Sequence, residues 1–95
     1  MNEEVTPFRV AIPENSLEDL RQRLKLTRWP ESETCEDWSQ GIPLEYTREL
    51  ANYWQQDYDW RRFERKLNSW PQFKTRIEDI DIHFIHRRSP HQDAL

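Results

Sequence analysis

The chain has 95 residues, so its length allows one domain at most. A formal charge of −4 argues against general binding to nucleic acids and anionic membrane surfaces, because both require a basic field. About a third of the residues are hydrophobic, which predicts a thin core. No stretch reaches the ~18–20 apolar residues that a membrane-spanning helix requires. The 12 aromatic side chains make disorder the weaker interpretation.

The cysteine content bears on the cellular compartment. Cys35 is the only cysteine and cannot form an internal disulfide, and residues 1–4 are acidic with no apolar signal-peptide core after them. We therefore expect a reducing, cytoplasmic location. Glu36 and Asp37 surround the thiol with negative charge, which disfavours the reactive thiolate, so Cys35 is expected to be an inert loop residue.

The first expected element is a short extended segment. Phe8, Val10 and Ile12 occupy alternate positions between Pro7 and Pro13, a pattern typical of a strand-like stretch that docks through one face. The segment is too short to be stable by itself.

A first amphipathic helix is expected from about Leu17 to about Thr27. Ser16 followed by Asp19 resembles a capping box, in which the first side chain caps the helix and the second reaches back to it. Pro30 disfavours helical geometry in the residue before it, so the helix should end ahead of this proline. The apolar residues at helical spacing are Leu17, Leu20 and Leu24.

Two further helices are predicted. The second begins after Gly41 and Pro43 and ends near Asp57, and the third begins after Asp59, a good N-cap, and ends before Pro71. The apolar face of the second helix is assigned to Leu44, Leu50, Ala51 and Trp54, and that of the third to Trp60, Phe63, Leu67 and Trp70.

After Pro71 the hydrophobic period changes to two, which predicts a β-hairpin with a tight turn at Glu78 and Asp79. One face is assigned to Phe73, Thr75, Ile77, Ile80, Ile82, Phe84 and His86, and the other to Gln72, Lys74, Arg76, Asp81, His83, Ile85 and Arg87. Two strands leave sheet edges unpaired and one face uncovered, so the chain is expected to be the front end of a larger fold.

Several short motifs follow one another in a specific order. They include Thr27-Arg28-Trp29-Pro30 and Tyr58-Asp59-Trp60-Arg61, together with residues 8–13, 17–24, 37–38, 53–54, 67–68, 71–73 and 82–86. In this order the chain resembles the N-terminal region of the microsomal and fungal type of epoxide hydrolase, in the α/β-hydrolase superfamily. One position departs from the resembled pattern, because relatives often have Gly where this chain has Asp79.

The resemblance implies an α+β fragment with three divisions. Residues 1–71 would form a helical wrap on the hydrolase core and its lid, residues 72–88 would begin the central sheet, and residues 89–95 would lead to a core outside this chain. The implied activity is hydrolysis of epoxides to vicinal diols through an ester on an Asp nucleophile, with lid tyrosines and a His-activated water. None of those catalytic roles falls on a residue here, so the chain alone is expected to be inactive, with no cofactor and no metal.

Two other functions stay open at this stage. The five tryptophans Trp29, Trp38, Trp54, Trp60 and Trp70 could give a stand-alone helical module a protein-binding face, or could form a homo-oligomer contact, although packing is the simpler role. The basic residues Arg61, Arg62, Arg65 and Lys66 could bind an acidic partner or a nucleic acid.

Single residues invite a functional role but have simpler explanations. His83 and His86 are three positions apart on a strand and so point to opposite faces, which argues against a shared metal ion. Neither matches the catalytic histidine of the resembled enzymes, because that residue comes late in their chains. Asp59 could form a charged docking point with Arg61 and Arg62, but helix capping accounts for it more simply.

Overall fold

The computed structural model describes residues 4–95. Its elements follow one another as β1 (Thr6–Pro7), α1 (Glu14–Lys25), α2 (Leu44–Gln56), α3 (Trp60–Asn68), β2 (Gln72–Ile77) and β3 (Ile80–Ile85). This is an α+β arrangement, as the sequence predicts. Met1–Glu3, which contribute to the expectation that a signal peptide is absent, lie outside the described residues.

The chain divides into two compact units. The sheet unit contains the residues up to Ala11 together with Trp60–Leu95, and therefore holds all three strands and α3. The helical unit is Ile12–Asp59 and holds α1, α2 and the loop that joins them.

The predicted hairpin is confirmed with its register. β2 and β3 are antiparallel, and Phe73 lies opposite Phe84 while Ile77 lies opposite Ile80. The loop therefore contains two residues, Glu78 and Asp79, with φ angles of 50° and 66°. Positive φ at both central residues fits the right-handed twist of the flanking strands, but it strains side chains other than glycine. β3 ends at Ile85, two residues earlier than the alternating pattern indicated.

One edge of the hairpin is paired, which the sequence analysis did not predict. β1 is antiparallel to β2 with Thr6 opposite Lys74 and Pro7 opposite Phe73, so the sheet has three strands in the order β1-β2-β3. The Phe8 N–H continues this pairing by donating to the Gln72 carbonyl oxygen at 2.8 Å. The N-terminal segment thus joins the sheet through its backbone, because an open strand edge offers unpaired N–H and C=O groups.

Side-chain amides hold the N-terminal segment beside the sheet. The Asn68 Oδ1 atom accepts from the Val10 N–H at 2.9 Å, and the Asn68 Nδ2 atom donates to the Val10 carbonyl oxygen at 2.8 Å. Gln72, which is only 4% exposed, donates through Nε2 to the carbonyl oxygen of Leu67 at 2.9 Å and to Asn68 Oδ1 at 3.1 Å. Asn68 therefore satisfies both backbone groups of a residue 58 positions away.

Helix α1 begins three residues earlier than predicted, and the predicted capping box is wrong. Pro13 is the N-cap and makes no side-chain hydrogen bond, and Ser16 lies inside the first turn with its N–H bonded to the Pro13 carbonyl oxygen. The fixed φ of proline, −61° here, suits the start of a helix, and the acidic Glu14 adds a favourable charge at that end. Asp19 forms an exposed ion pair with Arg23 at 2.9 Å.

Helix α2 is capped by a side chain from the preceding loop. Pro43 is its N-cap and makes no side-chain bond, while Glu33 Oε2 accepts from the Leu44 N–H at 2.9 Å. A carboxylate at this position satisfies one unpaired N–H group and interacts favourably with the helix dipole. The two partners are eleven positions apart in the sequence, so this bond also closes the loop between the helices.

The thin core expected from the composition is confirmed. Among residues 4–95, Leu17 is the only hydrophobic residue that is buried, and 7% of its surface is exposed. Glu64 and Gln72 are the buried polar residues in the same range. Burial of apolar side chains therefore contributes less to the unfolding free energy than in a domain with a large apolar core, and hydrogen bonds contribute a larger fraction.

Candidate docking surfaces

His83 has a structural partner in the sheet unit. Its Nε2 atom lies 2.9 Å from Gln72 Oε1, and its ring is 4.7 Å from the Phe8 ring. The Gln72 Nε2 atom already donates to Leu67 and Asn68, so Oε1 is the acceptor and His83 Nε2 carries the proton. The His86 N–H bonds to the Pro71 carbonyl oxygen.

Cys35 lies in a loop that is held by short-range hydrogen bonds. Its Sγ atom donates to the Asp37 carbonyl oxygen at 3.4 Å and accepts from Ser39 Oγ at 3.5 Å. Hydrogen bonds from the Ser39 side chain and backbone, with a smaller one from the Cys35 side chain, hold the pKa of the Asp37 carboxyl below its ordinary value of 3.8. Thr34 and Gln40 bond to each other at the ends of the loop, so Cys35 occupies a structured surface turn.

The basic cluster on α3 is partly engaged within the helix. Arg61 Nη1 lies 2.9 Å from Glu64 Oε1, and the Trp60 indole N–H donates to Glu64 Oε2 at 3.3 Å. The Glu64 side chain is 12% exposed and that of Arg61 is 34% exposed, so the ion pair is partly buried. Arg62 and Arg65 are exposed. Within residues 4–95, no group of three or more His, Cys, Asp and Glu side chains could hold a metal ion.

Helix α2 carries two separate apolar stripes instead of the single face predicted. Leu44 and Ala51 are half-buried, whereas Leu50 and Trp54 are 57% and 46% exposed. The reason is geometric. An offset of seven residues returns to about the same side of a helix, but an offset of six falls roughly 120° away. The Leu44 stripe is half-buried, and the Leu50 stripe faces outward.

The outward stripe of α2 belongs to a larger apolar region, which we call the aromatic surface. Its residues are between 38% and 57% exposed: Trp38, Tyr46, Leu50, Tyr53, Trp54 and Tyr58. The Trp38 and Tyr46 rings meet edge to face with centroids 5.2 Å apart, and the Tyr53 and Tyr58 rings are 6.4 Å apart. These contacts extend the stripe beyond both ends of the helix. The surface contains more tyrosine than tryptophan, unlike the tryptophan face that the sequence left open as an alternative.

The sheet unit exposes a second apolar region, the hairpin face. The cross-strand pairs place its residues on one side of the hairpin: Phe73, Thr75, Ile77, Ile80, Ile82 and Phe84. Ile77, Ile80 and Ile82 are 50%, 62% and 40% exposed. The opposite side holds Gln72 and Lys74, and the Lys74 Nζ atom lies 4.5 Å from the centre of the Phe8 ring. The polar side is thus partly covered, while the apolar side is half-buried at Phe73, Thr75 and Phe84 and exposed at its three isoleucines.

The helical unit also contains an open cleft of about 580 Å³. Leu24 of α1, Trp29 of the loop, and Leu44 and Arg48 of α2 are among its lining residues. The Arg48 guanidinium lies over the Trp29 ring at 6.0 Å from the centroid, which is the outer limit of a cation–π contact. The lining mixes apolar side chains with both signs of charge, which gives the cleft no single chemical preference.

Residues 5–95 match the family model described as "Epoxide hydrolase N terminus". The chain belongs to this family. A protein of Stigmatella aurantiaca named "Putative epoxide hydrolase" is 52% identical over 91 residues, which are 96% of this chain and 21% of that protein. Epoxide hydrolase 1 of Oryctolagus cuniculus is 35% identical over 89 residues, or 94% of this chain and 20% of the rabbit protein.

Solved structures agree with the family assignment. The Aspergillus niger epoxide hydrolase has a TM-score of 0.85 and 36% identity over 97% of this chain, which is 25% of the fungal chain. The Bombyx mori juvenile hormone epoxide hydrolase has a TM-score of 0.77 and 27% identity over 88% of this chain and 22% of its own. These neighbours have the α/β-hydrolase fold. The epoxide hydrolase N-terminal region described here therefore spans about a fifth to a quarter of the length of the proteins it matches.

Within residues 4–95, no helix is long and apolar enough to span a membrane.

The family assignment bears on the two exposed apolar regions, the aromatic surface and the hairpin face. Large contiguous apolar patches on a protein surface mark places where another surface docks. The aromatic surface and the hairpin face are therefore candidate contacts with other parts of an epoxide hydrolase.

Proposed function

We propose that this chain is the structural N-terminal region of an epoxide hydrolase and packs on the hydrolase core and its lid. The observation that carries the proposal is the match to the Aspergillus niger epoxide hydrolase, which covers 97% of this chain at a TM-score of 0.85 and a quarter of that enzyme. In this proposal the whole protein hydrolyses epoxides to diols, and the residues that perform the reaction lie outside these 95 residues.

Exposed apolar residues support the structural role. Among residues 4–95 of the chain alone, one hydrophobic residue is buried, while the isoleucines of the hairpin face and all residues of the aromatic surface are exposed. Burial of apolar area contributes roughly 25 cal/mol per Å², so both regions would gain stability against a further surface. A stand-alone binding module would expose one such region, but no observation favours it over the family role. The cytoplasmic location stays a prediction.

The test compares the isolated chain with the protein captured from its source. An antibody against residues 14–28 would capture the native protein, whose intact mass is then measured and whose epoxide turnover is assayed. The proposal predicts a native mass several times that of this chain, which is 11.8 kDa. It also predicts diol formation by the captured protein and no diol above the buffer rate from the isolated chain. A native mass equal to that of this chain would overturn the proposal, and so would turnover by the isolated chain that a single substitution abolishes.

A further inference from the structure

We infer that the exposed basic side of α3 is a contact surface for a second copy of this chain. We call this side the basic face and define it as Arg62, Arg65 and Lys66. Its counterpart on the second copy is the acidic segment, residues 31–37, in the loop before α2. The contact is distinct from packing on the hydrolase core and lid, and it does not depend on that packing.

The basic face brings three positive charges together on one side of α3. Arg62 lies three positions before Arg65 and four positions before Lys66, so the three side chains share one side of the helix. All three residues are exposed. Like charges at this spacing repel each other and destabilise a helix. An acidic surface placed against the basic face would offset that repulsion.

Helix α3 does not neutralise its own basic face. Glu64 is the one acidic residue of the helix, and it is 9% exposed. Its carboxylate accepts from Arg61 Nη1 at 2.9 Å and from the Trp60 indole N–H at 3.3 Å. Within residues 4–95, no side chain of the basic face forms a salt bridge. The three charges are therefore available to another molecule.

The acidic segment presents carboxylates on a held backbone. Its side chain Glu33 caps α2 through the Leu44 N–H, and Thr34 and Gln40 bond to each other. A segment that is already ordered loses less conformational entropy when it binds. The other acidic residues of the segment are exposed: Glu31, Glu36 and Asp37. The segment can thus place three negative charges against the basic face.

The distribution of charge along the chain selects a second copy as the occupant. Residues 12–59 have eleven acidic and five basic side chains, whereas the other residues have seven acidic and nine basic. Nucleic acids and anionic membranes would attract the basic face, but they would repel the helical unit, whose formal charge is −6. Each copy supplies both surfaces, so in a dimer with two-fold symmetry the same contact forms twice.

The contact is expected to be weak and sensitive to salt. Exposed ion pairs contribute little each, and the Debye length falls from about 10 Å at 0.1 M salt to about 3 Å at 1 M. Phe63 follows Arg62 in the sequence and is 41% exposed, so it adds an apolar ring beside the charges. We expect a concentration-dependent dimer at low salt that dissociates at about 1 M salt.

The experiment exchanges the two charges in the protein expressed from its native gene. Arg62→Glu with Arg65→Glu reverses the basic face. Glu31→Lys with Glu36→Lys reverses the acidic segment. Sedimentation velocity at several protein concentrations should show self-association weakened by about tenfold or more in each variant, because like charges then meet. An equal mixture of the two variants should associate again, because both contacts of a mixed dimer join opposite charges.

The matched control is Lys25→Glu with Arg28→Glu. Both positions are exposed and lie outside the basic face, and the change in net charge equals that of the basic-face variant. The control should associate as the unsubstituted protein does. Recovery of association in the mixture also shows that the two charge-reversed variants are folded.

Three results would overturn the inference. The first is an unsubstituted protein that does not self-associate at low salt. The second is association that the reversals leave unchanged, or that the mixture does not restore, because the two surfaces then do not meet. The third is retention on heparin, or on vesicles of anionic lipid, that the basic-face variant abolishes in place of self-association. The native mass and the epoxide turnover test the proposed function separately, so either proposal can fail while the other stands.

Discussion

The two units are stabilised in different ways. In the sheet unit, hydrogen bonds join residues that are far apart in sequence, such as Val10 and Asn68, separated by 58 positions. In the helical unit the side-chain bonds join nearer neighbours, and the bond between Glu33 and Leu44 spans 11 positions. Their charges differ as well, because the residues outside 12–59 have nine basic and seven acidic side chains while residues 12–59 have a formal charge of −6.

This difference shows how a small chain with a thin core fixes its geometry. The sheet unit uses the side-chain amides of Asn68 and Gln72, which are half-buried and buried and so need hydrogen-bond partners that fix the neighbouring backbone. The helical unit is held by hydrogen bonds at its helix ends, such as that from the Leu44 N–H to Glu33 of the loop. Most of its aromatic residues are exposed. Removal of a side-chain amide that bonds to a distant residue should therefore lower the unfolding free energy more than removal of a helix cap does. Changes in surface turns should lower it least.

The largest effect is expected for Asn68→Ala. The substitution leaves the Val10 N–H and carbonyl without their side-chain partners, which should cost about 2–4 kcal/mol of unfolding free energy. Urea unfolding would measure this loss, and hydrogen exchange should show lower protection at the Phe8 and Val10 amides. Asn52→Ala, at an exposed position of α2, is the control and should change the stability little. Equal stability of Asn68→Ala and the original chain would show that the amide pair does not hold the segment.

A smaller loss is expected for Glu33→Ala in the helical unit. Removal of the carboxylate leaves the Leu44 N–H uncapped and removes a favourable charge from the start of α2, at a cost of about 1 kcal/mol. Urea unfolding followed by circular dichroism measures the change. Glu31→Ala removes an exposed carboxylate from the same loop and should have no comparable effect. If Glu33→Ala cost more than Asn68→Ala, the comparison between the two units would be reversed.

Asp79→Gly should raise the stability of the sheet unit. Asp79 has a φ of 66°, and glycine adopts such angles without steric strain, so a gain of about 0.5–1 kcal/mol is expected. The substitution removes an exposed ion pair with Arg76 at 3.7 Å, which contributes little in water. Thermal unfolding would measure the gain, with Asp93→Gly in the C-terminal tail as the control. A lower melting temperature for Asp79→Gly would show that the ion pair outweighs the strain.

The smallest effect concerns pH. Ser39 lowers the pKa of Asp37, so the ionised carboxylate favours the folded loop above pH ~4, and this contribution is lost as the pH falls through the lowered pKa. Ser39→Ala should move the pKa of Asp37 up toward 3.8, as followed by NMR titration of the carboxyl signal. Ser32→Ala should leave that titration curve in place. An unchanged curve for Ser39→Ala would assign the shift to another cause.

The sequence predicted the parts of the fold that depend on periodicity and turn chemistry. The alternation from Gln72 onward indicated the hairpin and its faces, and Asp79 marked the turn that has positive φ. The family resemblance, now confirmed, supplied the context of a larger enzyme. The predicted cap of α3 by Asp59 and the domain division at residue 71 stay predictions.

The features that the sequence did not reveal depend on three-dimensional proximity. Pairing of β1 with β2 joins residues 68 positions apart, and no local pattern signals such a contact. The same holds for the half-buried amide of Asn68 and the buried amide of Gln72, which look like ordinary helix-end and strand residues in the sequence. For α2, both the inward and the outward stripes are apolar, so hydrophobicity alone could not assign Leu50 and Trp54 to the outer side.

Pro7 affects which edge of the sheet can pair with a further strand. The Phe8 N–H points toward β2, so the backbone nitrogen of Pro7 points the other way, where proline has no hydrogen to donate to a neighbouring strand. A two-residue strand that lacks this donor is a poor template for strand addition, and proteins use the same device against edge-to-edge aggregation. Among the described strands, β3 has six residues and β1 has two, so we expect a further strand to pair with the sheet at β3.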